Sequence, residues 1–282
     1  MKFLESLFRL SSNDNETNSS CPTRVQWCSN DSLGYQLCIY SPTVLPTCIL
    51  ALIIGLTTSN SLAKIPGKFP SRWFYTLTFF LYGIMMTSAG ILHCFIGDER
   101  ATADFLTLFV AVVDVGLTSN IAISFLFCGL CDIKFFNPKA TVTKYLLFIC
   151  YFTIFALWTF GILNEWSWIY HVLYDGVIVV CCGLYLLTQL CLKAGRRSLP
   201  IMIVGGIYGA LGLLATYFSD RVCESEGPFW SQYIGPEFIW FLFSDISVAF
   251  LYLYVRRANE QNSADDQIQK YPIDFEKSPM KF

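Results

Sequence analysis

The sequence is poor in charged residues and in histidine. Asp, Glu, Lys and Arg make up 14% of the 282 residues, and the formal net charge of −2 gives no reason to expect a nucleic-acid partner. The chain has two histidines, His93 and His171, which excludes any metal site built from three imidazoles. Hydrophobic residues instead make up 54% of the chain, and its mean hydropathy is +0.50. This composition favours a membrane protein.

Seven apolar stretches divide the chain. They are Thr43–Leu62, Arg72–Phe95, Asp104–Leu130, Thr143–Leu163, Trp168–Leu192, Leu199–Phe218 and Glu237–Val255. A helix of about 20 residues crosses a hydrocarbon core of about 30 Å, and each stretch has about that length or more. No soluble fold needs seven such segments. The sequence therefore predicts an all-α membrane protein in which residues 43–255 form a seven-transmembrane helix bundle.

The loops between these stretches alternate in charge. Basic residues follow the odd-numbered stretches, whereas the other loops are sparse and mostly acidic. The basic set is Lys64, Lys68, Lys134, Lys139, Lys144, Lys193, Arg196, Arg197, Arg256 and Arg257. Since basic loops favour the cytoplasm, we expect a lumenal or extracellular amino terminus and a cytosolic carboxyl terminus, in the plasma membrane or the ER and Golgi. The tail, residues 256–282, has no periodic apolar face and is predicted to be disordered.

Residues 1–42 have features of a lumenal or extracellular segment. Glycosylation sequons begin at Asn15, Asn18 and Asn30, so we expect a glycoprotein. Four cysteines share this compartment, and an oxidising lumen permits disulfides between them. These cysteines are Cys21, Cys28, Cys38 and Cys223. Four cysteines allow three pairings, and sequence alone does not choose among them.

Ionisable residues inside the predicted spans are the first candidates for chemistry. An aspartate at the bilayer centre costs about 2.5–3.5 kcal/mol to insert, so Asp114, Asp175 and Asp245 should face the bundle or a wet cavity. Further ionisable residues lie nearer the span ends, namely Asp104, Glu237, His93 and His171.

One constellation is more specific than these single residues. His93 closes the second span, and Asp104 opens the third, eleven residues later across a short loop. The pair Trp27-Cys28 precedes the first span, and Ser219-Asp220-Arg221-Val222-Cys223 precedes the last. From about Val25 to Tyr254 the chain thus resembles the CREST superfamily of seven-span hydrolases, especially the alkaline ceramidases and the related GPI-anchor-remodelling proteins. The resemblance implies a disulfide between Cys28 and Cys223.

The resemblance also implies a zinc site, which this chain matches incompletely. In the family, one His ends the second span and two His lie four residues apart on the seventh, while an Asp and a Ser assist a zinc-bound water. His93 matches the first ligand, and Asp104 matches the carboxylate. Glu237 and Phe241 stand where the other two His are expected. Ser88 lies five residues before His93 instead of four.

We therefore expect a CREST-like fold without zinc hydrolase activity and without a cofactor, which binds membrane lipids or a membrane protein partner. One alternative is a remodelled metal-dependent hydrolase of a lipid amide or ester. Its candidate residues are Ser88, Asp104, Glu237 and Asp245 for catalysis and His93 for a metal, a set that suits metals harder than zinc. The other alternative is a seven-transmembrane receptor, although no Asp-Arg-Tyr follows the third span and no Asn-Pro-x-x-Tyr ends the seventh.

Overall fold

The fold is a bundle of seven long helices with a short β-ribbon at one end. The computed structural model describes residues 27–28, 38–65, 71–96, 105–164, 166, 168–192, 197–218 and 234–270. The ribbon consists of β1 (Trp27–Cys28) and β2 (Cys38–Ile39). The helices are α1 (Val44–Lys64), α2 (Arg72–Ile91), α3 (Phe105–Asp132), α4 (Thr141–Leu163), α5 (Val177–Cys191), α6 (Leu199–Tyr217) and α7 (Pro236–Lys270). Seven helical segments are long and apolar enough to cross a membrane, the second and fifth of them being α2 with the π-helical turn Leu92–Ile96 and α5 with the π-helical turn His171–Gly176.

The predicted seven-helix membrane architecture is confirmed. The helix bounds fall within a few residues of the predicted spans except at the start of α5, where a short helix and a π-helical turn come first, and at the end of α7, which is longer than predicted. By length and composition, the chain is a multi-pass membrane protein. We call the end of the bundle where α1 begins the amino face, and the opposite end the carboxyl face. Helices α1, α3, α5 and α7 begin at the amino face. Which of the two faces is cytosolic stays a prediction.

Two helices change pitch at the amino face. A π-helical turn, Leu92–Ile96, extends α2 and contains His93. A second π-helical turn, His171–Gly176, leads into α5 and follows the short helix Trp168–Tyr170. Such turns are frequent at functional sites, because the extra residue turns side chains away from the regular helical register.

Neighbouring helices approach each other closely at glycines, which have no side chain. At the crossing of α1 and α2, a Cβ atom added to Gly55 would lie 2.7 Å from the Cα atom of Gly83. On α6, Cβ atoms added to Gly205 and Gly212 would lie 3.0 Å and 3.1 Å from side-chain atoms of α7. Helix α3 packs against α2, α4 and α5, and α7 packs against α1 and α6. The close contacts hold α1 against α2 and α6 against α7.

The tail prediction was wrong over its first part. Helix α7 continues to Lys270, so residues 256–270 are helical, and residues 271–282 lie outside the described part of the chain. The extension begins with an ion pair one helical turn apart, in which Arg256 Nε lies 3.1 Å from Glu260 Oε1. A polar helix can continue out of a membrane because the chain already has helical geometry there, so no new nucleation is needed.

The disulfide implied by the family resemblance was also wrong in its pairing. The structure joins Cys28 to Cys38, not to Cys223, which lies outside the described residues. Cys28 and Cys38 stand directly opposite each other in the antiparallel ribbon, and their Cα atoms are 4.1 Å apart. Cross-strand neighbours are close enough for a bond, so the local pairing forms across ten residues. The predicted glycosylation sites at Asn15, Asn18 and Asn30 lie outside the described residues.

Candidate functional site

The candidate site lies at the amino face, where the end of α2 meets the start of α7. His93 Nδ1 lies 3.7 Å from Glu237 Oε2, and the imidazole packs edge-on against the Phe241 ring with 5.6 Å between ring centroids. Both side chains are partly exposed: 19% of the His93 side-chain surface and 37% of the Glu237 side-chain surface are accessible. The structure thus brings together two of the predicted site residues.

Helical register explains why these residues converge. Glu237 and Phe241 are four residues apart on α7, so they lie on one face, one turn above the other. The π-helical turn of α2 directs His93 toward that face. Both residues contact His93, so the start of α7 and the end of α2 are adjacent at this point.

Ser88 and Asp245, two of the remaining predicted residues, have hydrogen-bond partners outside this contact. Ser88 is buried, and its hydroxyl donates to the Met85 carbonyl of its own helix at 2.7 Å. Asp245 lies two turns beyond Glu237, about 12 Å along an ideal helix, and accepts a hydrogen bond from Tyr82. Asp104 lies outside the described residues. The structure therefore does not join Ser88, His93, Glu237 and Asp245 in one catalytic centre.

Two further candidates, His171 and Asp175, pair with each other. His171 Nδ1 lies 3.1 Å from Asp175 Oδ2, one helical turn apart in the π-helical turn before α5. Their side chains are 69% and 34% exposed, respectively. Asp175 was expected to face the bundle or a wet cavity; it lies near the amino end of its span, where the neighbouring imidazole is its partner.

The residues around His93 do not fit the zinc site of the CREST hydrolases. That site needs three protein ligands, and the described partner of His93 with a metal-binding atom is the Glu237 carboxylate, whereas the neighbouring Cys94 thiol is buried against the Ser41 carbonyl. Phe241 has no atom that can bind a metal. Across the described residues, no group of three or more His, Cys, Asp or Glu side chains has the geometry to hold a metal ion.

Ionisable side chains continue from this site toward the middle of the bundle. The Cys48 side chain on α1 is buried. It is close enough to Cys94, Asp114 and Asp245 to interact with them electrostatically. Gly90 makes room for it, because a Cβ atom there would lie 3.0 Å from the Cys48 Cβ atom. Helices α1, α2, α3 and α7 each contribute one ionisable residue or more to this buried group.

The β-ribbon is attached to the bundle beside His93. The Tyr40 amide, one residue after β2, donates to the Cys94 carbonyl at 2.8 Å. Between the ribbon and α1 lies an apolar groove of about 400 Å³. Its walls are Trp27, Ile39, Pro42, Leu45, Pro46, Ile49, Leu50 and Ile53. The groove opens beside the first span, and the side chains of Ile49 and Ile53 are about half exposed.

A polar network at the carboxyl face was missed by sequence analysis. Asp132, the last residue of α3, accepts hydrogen bonds from Ser71 Oγ, from Tyr75 OH at 2.8 Å and from Gln189 Nε2 at 3.0 Å. Gln189 Oε1 in turn accepts from Tyr254 OH at 2.6 Å. Asp132 follows Cys128 and Phe125 along one stripe of α3, and that spacing was the available signal that it faces the bundle.

Comparisons with known proteins were negative: no family model, no curated protein and no solved structure matches the chain.

Proposed function

We propose that this chain is a CREST-like seven-span membrane protein that binds a membrane lipid at its amino face and does not hydrolyse it with zinc. The observation that carries the proposal is the contact of His93 with Glu237 and Phe241. Phe241 occupies a position where a ligand is expected and presents a ring that cannot bind metal. The neighbourhood of His93 therefore favours recognition over metal-assisted hydrolysis.

The apolar groove beside the ribbon supports a lipid as the occupant. A volume of about 400 Å³ lies within the usual range of small-molecule sites, and every lining residue is apolar. Ile49, Leu50 and Ile53 belong to a membrane span, so the groove opens toward acyl chains and not toward water. An acyl chain that enters the groove moves from one apolar environment to another and requires no polar group to lose water.

The polar end of such a lipid would lie near His93 and Glu237. Ile39 forms part of the groove wall, and the next residue, Tyr40, is hydrogen-bonded to Cys94, the neighbour of His93. An imidazole and a carboxylate together offer both donors and acceptors to a hydroxyl or amide group. This pairing favours a lipid with a neutral polar headgroup.

The test is analysis of metal and lipid in the purified protein. We expect intact lipid to co-purify, zinc to be far below one per chain, and no hydrolysis of ceramide-like amides. Replacement of Ile53 with Trp should fill the groove and reduce labelling by a photoreactive lipid several-fold. The matched control is Leu187→Trp on α5, since Leu187 is similarly exposed but lies outside the groove. Equal labelling of both variants would contradict the groove assignment.

A remodelled hydrolase is the second candidate, because His93 and Glu237 do lie within 3.7 Å of each other. An imidazole and carboxylates suit metals harder than zinc, and Asp104 belongs to the same predicted set. Stoichiometric metal that is lost together with lipid hydrolysis in His93→Ala would establish this reading. Binding of a membrane protein partner without lipid, or ligand-dependent G-protein coupling, would instead support the partner or receptor alternative.

A further inference from the structure

Asp245 is a carboxyl group in the middle of the membrane-spanning part of α7. It lies eight residues after Glu237 and eleven before Arg256, about 12 Å and 16 Å along an ideal helix. Its exposed fraction is 1%. Neither end of the span is therefore close enough for water at the membrane surface to solvate the carboxyl group.

The two oxygen atoms of Asp245 have different surroundings. Oδ1 accepts a hydrogen bond of 2.6 Å from the Tyr82 hydroxyl on α2. Oδ2 is buried and has no hydrogen-bond partner in the described part of the chain. An ionised carboxylate would leave a charged oxygen without a donor, which is among the least favourable states for a buried group.

Among the described residues, the helices around Asp245 bring no cation to it. Helix α2 presents Tyr82, α1 presents Cys48, and α3 adds Asp114, which lies within electrostatic range of the same Cys48. Helix α6 faces α7 with glycines at 205, 209 and 212, which carry no side chain. The described side chains that these helices present therefore include no positive charge to offset a negative charge on Asp245.

The basic residues of these helices lie at the carboxyl face. Lys64 ends α1, Arg72 begins α2, and Arg256 lies about 16 Å along α7 from Asp245. At the amino face, His93 lies about 16 Å along α2 from Tyr82 and contacts Glu237 instead. A bound metal ion also lacks support, since no suitable group of three ligands occurs among the described residues.

We propose that Asp245 is an intramembrane proton-binding site, whose Oδ2 atom holds a proton at neutral pH while Oδ1 accepts the Tyr82 hydrogen bond. Protonation removes the uncompensated charge and leaves the Tyr82 contact in place, so it satisfies both observations at once. The ligand is a proton taken from water, and no covalent bond of the protein is broken. This site is separate from the proposed lipid groove and does not depend on it.

Infrared spectroscopy tests the proposal directly. The full chain is prepared with ¹³C at the aspartate carboxyl carbons, in a detergent without ester groups, at neutral pH. We expect a carbonyl band of a protonated carboxylic acid that shifts with the label and is lost in Asp245→Asn. The control Asp175→Asn removes an intramembrane aspartate that pairs with His171, and it should leave the band unchanged.

Tyr82→Phe keeps the acid and removes its donor, so it serves even where Asp245→Asn fails to fold. The band should persist in this variant and move to higher frequency, because its carbonyl loses a hydrogen bond. A wild-type spectrum without a label-sensitive acid band would overturn the proposal. So would a band that is unaffected by Asp245→Asn and Tyr82→Phe, or one that Asp114→Asn removes entirely.

Discussion

Two aspartates in this bundle, the half-buried Asp132 and the buried Asp245, have opposite environments. At the carboxyl face, Asp132 accepts hydrogen bonds from Ser71, Tyr75 and Gln189, which come from the start of α2 and from α5. In the middle of α7, Asp245 accepts one from Tyr82 and has an oxygen without a partner among the described residues. A polar group whose hydrogen bonds are all made contributes to the structure, whereas a buried oxygen without a partner needs another explanation, which for Asp245 is the proposed proton.

The largest expected effect comes from removal of the Asp132 carboxylate. Asp132→Ala leaves three donors without their acceptor, so we expect the free energy of unfolding in detergent to fall by about 3 kcal/mol. The control is Asp175→Ala, whose carboxylate is 34% exposed and can be replaced by water. Equal losses in the two variants would show that the carboxyl-face network contributes no particular stability.

A conservative change sharpens the comparison between the two aspartates. In Asp132→Asn, the NH₂ group can donate to Ser71 only after that hydroxyl turns to accept, and the bonds from Tyr75 and Gln189 lose the carboxylate charge, so we expect a loss of about 1–2 kcal/mol. Asp245→Asn replaces a protonated acid with a group of the same shape and should cost less than about 1 kcal/mol. Thermal unfolding of the two variants, side by side, measures the difference. A larger loss for Asp245→Asn would indicate that Asp245 is ionised.

Removal of the disulfide should have the smallest effect on the stability of the bundle. Serine at both Cys28 and Cys38 should change the free energy of unfolding of the bundle by less than about 0.5 kcal/mol, because the ribbon lies outside the helices and opens locally. Labelling of the groove by a photoreactive lipid should nevertheless fall, since Trp27 and Ile39 form part of its wall.

The matched control replaces Cys182 and Cys191, which are free and exposed, with serine. Non-reducing peptide mapping of the wild type should recover the Cys28–Cys38 pair. Recovery of Cys28 bound to Cys223 would instead support the pairing that the family resemblance implies.

Sequence analysis succeeded where one property repeats over many residues. Every one of the seven helices was predicted, since a long run of apolar residues has few alternatives to a membrane-spanning helix. It also named His93 and Glu237 as candidates. It failed on single contacts, namely the pairing of Cys28 and the network at Asp132, because each depends on a partner whose position is set by helix packing.

The sequence by itself determined the class of protein, the number of spans and the impossibility of a three-imidazole site, because composition, length and residue counts hold in any conformation. Only the tertiary structure decided which polar groups meet. It placed Glu237 and Phe241 against His93, gave Asp132 three donors and gave Asp245 one. The rotation and depth of each helix decide such contacts, and a uniformly apolar span contains little information on either, since lipid tails and neighbouring helices are equally apolar.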